Sequence, residues 1–244
     1  GRGLDAPALA AMLKLVFAEV ELEYGSDASI GLYDGIFGDA SPSEEDVVSI
    51  SDYIQVSTLD KGDTLMFRQM TGDMMYYLTL QSGEGFREGL DELIRSKILS
   101  RPDVWKSADD SLKVIGMAQM YGDLLSKSTP GNAVPDLKLP GLMLSKGKEK
   151  AGTFRLGKLR GQTNYIMFVT EGCHVCAAEK EAARLTAGLG SKDKVLIVNV
   201  DAILAENPSL AERMFGSFDL STLPFIVQTD RKGRIQRRYI SLVK

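Results

Sequence analysis

Two short apolar runs, YIMFV at residues 165–169 and KVLIVNV at residues 194–200, constrain this chain more than any other feature. Neither alternates with polar residues, and both are rich in β-branched side chains. That pattern suits strands buried on both faces of a central sheet. Between them lies a helical stretch from about Cys176 to Leu189, so the segment reads as a β-α-β unit. A second helical stretch, PSLAERMFGSF (residues 208–218), leads to the strand PFIVQTD (224–230), the turn DRKG and a last strand, RIQRRYI (234–240). The predicted order is β-α-β-α-β-β.

The N-terminal half has a different texture. Leu9, Met12, Leu13, Val16, Phe17 and Val20 fall at helical spacing, predicting an amphipathic helix over residues 8–20. SPSEEDVVSISDYI opens with cap-type serines and three acids, which accept orphan N–H groups and meet the positive end of a helix dipole. A helix is therefore expected from about Ser43 to Thr58. Residues 63–81, 85–100 and 103–127 continue with apolar residues at threes and fours, interrupted by SGEG and SRPD. Their many methionines read as plastic core filler. STPGNAVPDLKLPG (128–141), with Pro130, Pro135 and Pro140, marks the boundary. The expected organisation is an all-α helical domain over residues 1–130 and an α/β domain over residues 131–244.

Both cysteines sit in GCHVC, a C-x-x-C pair at Cys173 and Cys176 that follows the first strand and opens the helix. Exposed amides and the positive dipole end at a helix start favour a thiolate, so Cys173 is placed to attack a disulfide. Cys176, one turn along, is placed to resolve the mixed disulfide by attacking the Cys173 sulfur. The alternative is a structural, redox-inert disulfide. Zinc needs four ligands, whereas the pair adds only His174, the single histidine of the chain, so no metal is expected. Covalent haem attachment needs a histidine directly after the second cysteine, where this chain has Ala177.

With VPDLKL, GTFRLGKLRGQTNYIMFVTEGCHVCAAEKE, VLIVNVD and STLPFIVQTDRKGRI, residues 132–240 resemble the thioredoxin-like thiol-disulfide oxidoreductases, specifically their extracytoplasmic TlpA/ResA-type branch. The resemblance implies a thioredoxin-like α/β fold. It also implies a cis peptide before Pro224, with Leu223 and Pro224 forming a platform for extended substrate peptides. The family's C-x-x-C-x-x-E pattern places Glu179 as a proton acceptor for the second thiol. His174, when protonated, would favour the neighbouring thiolate. The plainer readings are an exposed loop histidine, an exposed first-turn glutamate and a structural strand-start proline. The helical half resembles the extension preceding such domains in Bacteroides-type bacteria. Where many relatives carry Trp before the first cysteine, this chain has Gly172, and no proline follows Glu179 to kink the helix. The chain also lacks a closing helix after its last strand, so one face of the sheet is expected to be covered by the helical domain or by another subunit.

These features predict disulfide exchange with protein thiols or disulfides, no cofactor beyond the dithiol, and an upstream electron donor or acceptor. The rival expectation is a binding module of the cell envelope built on an inert thioredoxin scaffold. A net charge of -4 over 244 residues argues against nucleic acid as a partner. No run approaches the roughly 18 apolar residues that span a bilayer. The chain begins without methionine, and a signal or lipoprotein segment is expected to have been removed, giving a periplasmic or envelope location. The basic run RKGRIQRR (231–238) reads as a solvated, charge-protected hairpin edge and is assigned no ligand.

Overall fold

The computed structural model describes residues 24–38, 41–105 and 109–243, so the helix expected over residues 8–20 lies outside the described residues. The chain forms two compact units that divide between Asp123 and Leu124.

The first unit is helical, with α1 (Asp27–Phe37), α2 (Glu44–Ser57), α3 (Thr64–Thr79), α4 (Glu84–Leu93) and α5 (Asp109–Leu125), whose last turn carries the division. The serine and acids expected to start a helix do so at α2. Ser43 Oγ accepts the Asp46 N–H while the Asp46 carboxylate accepts the Ser43 N–H, a reciprocal capping box. α1 is absent from the predicted elements, because its glycines at 31 and 35 weaken helical propensity. Tertiary burial of Leu32, Tyr33, Ile36 and Phe37 supplies what propensity lacks. Phe37 stacks on Tyr77 with ring centroids 5.6 Å apart and meets Phe86 edge-on, while Met70, Met74 and Met75 fill the core between helices. After α4 the chain widens into a π-helical turn, Ile94–Leu99, and Trp105, expected inside a helix, instead donates its indole N–H to the Lys97 carbonyl.

The second unit is a six-stranded sheet in the order β2-β1-β4-β3-β5-β6. Its strands are β1 (Lys138–Ser145), β2 (Lys148–Arg155), β3 (Thr163–Val169), β4 (Lys194–Asn199), β5 (Phe225–Asp230) and β6 (Ile235–Arg238). The helices are α6 (His174–Thr186), α7 (Val200–Glu206) and α8 (Pro208–Ser217). β3 and β4 pair in parallel around α6, as the two apolar runs demand, and the other pairings are antiparallel. The β1–β2 hairpin and α7 are absent from the predicted order. β2 is almost wholly exposed and charged, so it carries no apolar alternation, and β1 contains Pro140 and Gly141. Both are tolerated for local reasons. Pairing of β1 with β4 begins only at Leu142, beyond the proline. A Cβ on Gly141 would lie 2.4 Å from the Ile197 carbonyl oxygen.

One face of the sheet packs Phe168, Leu196, Val198 and Phe225 under α7 and α8, around Met214 and Phe218. The other packs Met167, Val169, Val195, Ile197 and Ile226 under Cys176 and Ala183 of α6 and its C-cap residue Ala187. The segment after β6 runs along this second face, placing Ile240 within its core and Leu242 against it. α6 continues through the position after Glu179 without a break.

The basic hairpin is only partly the solvated edge expected of it. Gln236 and Arg237 are exposed, but Arg238 is fully buried and donates to the carbonyls of Leu125 and, at 2.8 Å, Lys127. The correction has a local cause: the β5–β6 register shifts between Gln228 and Thr229, so Ile235 and Arg238, three residues apart, both face inward, and Arg238 pairs with Val227 and meets carbonyls near the end of α5.

Candidate functional site

Parallel strands β3 and β4 end together at Val169 and Asn199, and both hand over to helices at that end of the sheet. Loop 170–172 joins β3 to α6. Gly172 adopts φ +67°, and a Cβ there would meet nothing within 4 Å, so glycine serves the left-handed backbone rather than space.

Cys173 is the N-cap of α6. Its Sγ accepts the Cys176 N–H at 3.0 Å, taking the place of a cap oxygen. The two cysteines are joined by a disulfide with Cα atoms 5.2 Å apart. They differ in access: Cys173 is partly exposed and Cys176 is fully buried in the core beneath α6. Of the pair, only Cys173 has surface open to solvent.

His174, the first residue of α6, is exposed. Glu179 is not exposed. Its side chain is buried one helical turn past Cys176, on the same face of α6. One carboxylate oxygen accepts the Ser241 hydroxyl and the other accepts the Leu242 N–H at 2.8 Å. A buried carboxylate is thus satisfied by the segment following β6, as burial requires.

Pro224 follows a cis Leu223–Pro224 bond and directly precedes β5. Because Phe225 pairs with Phe168, the register puts Leu223 and Pro224 beside the end of β3 from which loop 170–172 departs. Leu223 and Pro224 are both partly exposed. The sheet therefore brings the C-x-x-C pair and the Leu-Pro segment to one end from positions some fifty residues apart.

The sequence reading missed Asp201. In α7, its carboxylate accepts the Thr170 hydroxyl at 2.5 Å and the Glu171 N–H at 2.8 Å. These bonds hold its pKa below the usual carboxylate range, with the Glu171 N–H the largest influence. Asn199 caps α7 and reaches Glu171 with its amide at 3.4 Å. The loop carrying Cys173 is thereby braced from the end of β4. The only available signal was the Asn-Val-Asp ending of the second apolar run, a helix-start pattern.

Among the described residues, no group of three or more His, Cys, Asp or Glu side chains is arranged to hold a metal ion, and no helix is long and apolar enough to cross a membrane.

No protein-family model matches the chain, and no curated protein matches it. Among solved structures it is similar to a thioredoxin-like protein from Bacteroides caccae, at 11% identity and a TM-score of 0.50, over 92% of each chain. It also aligns with the thioredoxin domain of a thiol-disulfide oxidoreductase from Bacteroides vulgatus, at 15% identity and a TM-score of 0.29, over 46% of this chain and 89% of that one. The fold assignment rests on the first. The likeness spans the helical half as well as the sheet, and the fold is thioredoxin-like with a helical region before it.

Proposed function

We propose that this chain is a thiol-disulfide oxidoreductase that acts on protein substrates outside the cytoplasm. The observation that carries the reading is the asymmetry of the pair: a partly exposed Cys173 at the N-cap of α6, bonded to a wholly buried Cys176. An attacking sulfur needs access and a helix N-terminus to stabilise its thiolate; a resolving sulfur needs protection from everything but its partner.

In the reduced protein, the Cys173 thiolate attacks one sulfur of a substrate disulfide. An S–S bond forms between Cys173 and the substrate, and the substrate's other sulfur leaves as a thiolate. Cys176 then loses its proton and attacks Cys173 Sγ, forming the Cys173–Cys176 disulfide and releasing the second substrate thiolate. Glu179 is the nearest carboxylate along α6 to take that proton. The substrate is reduced by two electrons and the protein oxidised by two, so turnover needs an upstream dithiol donor. In the opposite direction, the same steps oxidise substrate thiols and pass electrons to an acceptor. Leu223 and the segment before β5 offer backbone beside Cys173 to align an extended substrate. The extracytoplasmic location is supported by the resemblance of residues 132–240.

The test is the equilibrium reduction potential of the pair, measured by alkylation and mass analysis in graded dithiol buffers, together with the pH dependence of Cys173 alkylation. A potential above about -300 mV and a Cys173 thiolate near neutral pH support exchange. A much lower potential with a sluggish thiol favours the rival reading of an inert scaffold that binds an envelope partner. Disulfide reductase activity that survives Cys173→Ala would sink the proposed mechanism.

A further inference from the structure

At the end of the sheet opposite the cysteines, an open cavity of about 790 Å³ is lined by Lys146, Lys148, Arg160, Lys192, Lys194 and Arg231. We infer that it is a binding site for an anion of the phosphate class, carried either on a membrane-lipid headgroup or on a free polyphosphorylated molecule. No part of the disulfide-exchange reading is needed for this site.

The six cations come from four separate stretches of chain. Lys146 and Lys148 sit at the β1–β2 turn, Arg160 precedes β3, Lys192 and Lys194 lead into β4, and Arg231 follows β5. The register gathers them: Ser145 pairs with Lys194, Thr163 pairs with Asp230, and the Gln162 N–H donates to the Lys192 carbonyl. No carboxylate lines the cavity, and among the described residues none of the six forms an ion pair. Only backbone carbonyls are engaged, Leu159 by Lys194 at 2.7 Å and Arg231 by Arg160 at 3.3 Å. Clustered like charges repel one another and cost stability unless a counter-charge is present. This clustering occurs in a chain whose net charge is -4, so it does not follow from composition.

The backbone gives a second, independent reason. Lys146 and Arg160 both have positive φ, 54° and 62°, which non-glycine residues adopt at a cost. Lys146 and Gly147 (φ 71°) form the two-residue turn between β1 and β2, where both central residues are left-handed. Asn or Asp would suit its first position better. A lysine held there, and an arginine held likewise at residue 160, place long cationic side chains at the cavity against local preference.

A mixture of Lys point charges and Arg forks suits phosphate oxygens, and the volume falls within the range of small-molecule sites. Because β3 and β4 begin beside the cavity and end beside the cysteines, an anion bound there leaves Cys173 open.

The experiment titrates the full chain with inorganic tripolyphosphate by calorimetry. In parallel it is co-sedimented with vesicles of phosphatidylcholine, with and without phosphatidylglycerol, at low and high salt. The expected result is binding of tripolyphosphate, of phosphatidylglycerol vesicles, or of both, weakened by salt and by about tenfold or more in K146Q/R160Q/R231Q. A second variant, K148Q/K192Q, alters two exposed lysines whose side chains hold no hydrogen bond or ion pair among the described residues, and it is expected to weaken binding likewise, should the first fail to fold. Tripolyphosphate binding alone identifies a free ligand, and vesicle binding alone identifies a headgroup. Binding of neither probe at low salt, or undiminished binding by a folded variant, overturns the inference.

Discussion

The Glu179 carboxylate accepts the Leu242 N–H at 2.8 Å, tying the segment after β6 to the helix that begins at the C-x-x-C pair. A carboxylate expected to serve the thiols is thus also the anchor of the chain segment that covers their side of the sheet. The two roles separate by substitution. Glu179→Gln keeps an oxygen for the Leu242 N–H but cannot take a proton. It is expected to preserve the melting temperature and to slow the resolving step, read as accumulated mixed disulfide in a quenched reaction. Glu179→Ala deprives the partly buried Leu242 N–H of its acceptor and is expected to cost about 1 kcal/mol in denaturant unfolding. Normal resolution kinetics in the glutamine variant would leave Glu179 with an anchoring role alone.

Asp201 braces the backbone that delivers Cys173, through Thr170 and the Glu171 N–H. Asp201→Ala is expected to slow disulfide exchange at neutral pH while changing global stability little, since the side chain is at the surface. Its folded pKa is depressed, so the stabilisation is complete above the ordinary carboxylate pKa and is lost as pH falls through the lower, folded value. Parallel pH profiles for wild type and variant down to strongly acidic conditions would show that the brace contributes nothing.

Arg238 carries a charge into a fully buried site, where it donates to the Leu125 and Lys127 carbonyls. Arg238→Ala opens a cavity and strips buried carbonyls of their donors, with an expected loss of about 2–4 kcal/mol in chemical denaturation. Arg237→Ala, one residue away and exposed, is expected to change stability by less than about 0.5 kcal/mol. Equal effects of the two would contradict the inward turn of β6.

In the helical unit, burial raises the pKa of Asp73 to about 6, although it accepts the Gly25 N–H and a Gln69 amide N–H, each at 2.9 Å. The folded protein then holds this proton more tightly than the unfolded chain. Its contribution to stability is greatest below the ordinary carboxylate pKa and declines as pH rises through that value towards about 6. Asp73→Asn retains an acceptor for Gly25 and does not titrate, so the difference in unfolding free energy between wild type and variant is expected to change across that window. A difference independent of pH between 3 and 7 would refute the assignment.

The sequence alone was enough for the central elements. Short unbroken apolar runs rich in β-branched residues suit strands buried on both faces of a sheet, and β3 and β4 are such strands. Cap residues and apolar periodicity are local signals, which is why α2, α3 and α8 fall where predicted. The thiol pair was legible for the same reason, since a strand, a short loop and a helix start are contiguous in the chain. What only the tertiary structure decided depends on contacts between distant residues. The β1–β2 hairpin is built from charged and proline-containing sequence, and α1 is held by burial in spite of its glycines. Glu179 becomes an anchor because residues 241 and 242 come back to meet it, and Arg238 turns inward because carbonyls near residue 125 await it. The cationic cavity likewise exists only because strand register gathers four short basic stretches, none conspicuous alone, at one end of the sheet. Local propensity and periodicity determine which elements form, whereas the partners of buried charges are set by long-range packing, which no single stretch of sequence encodes.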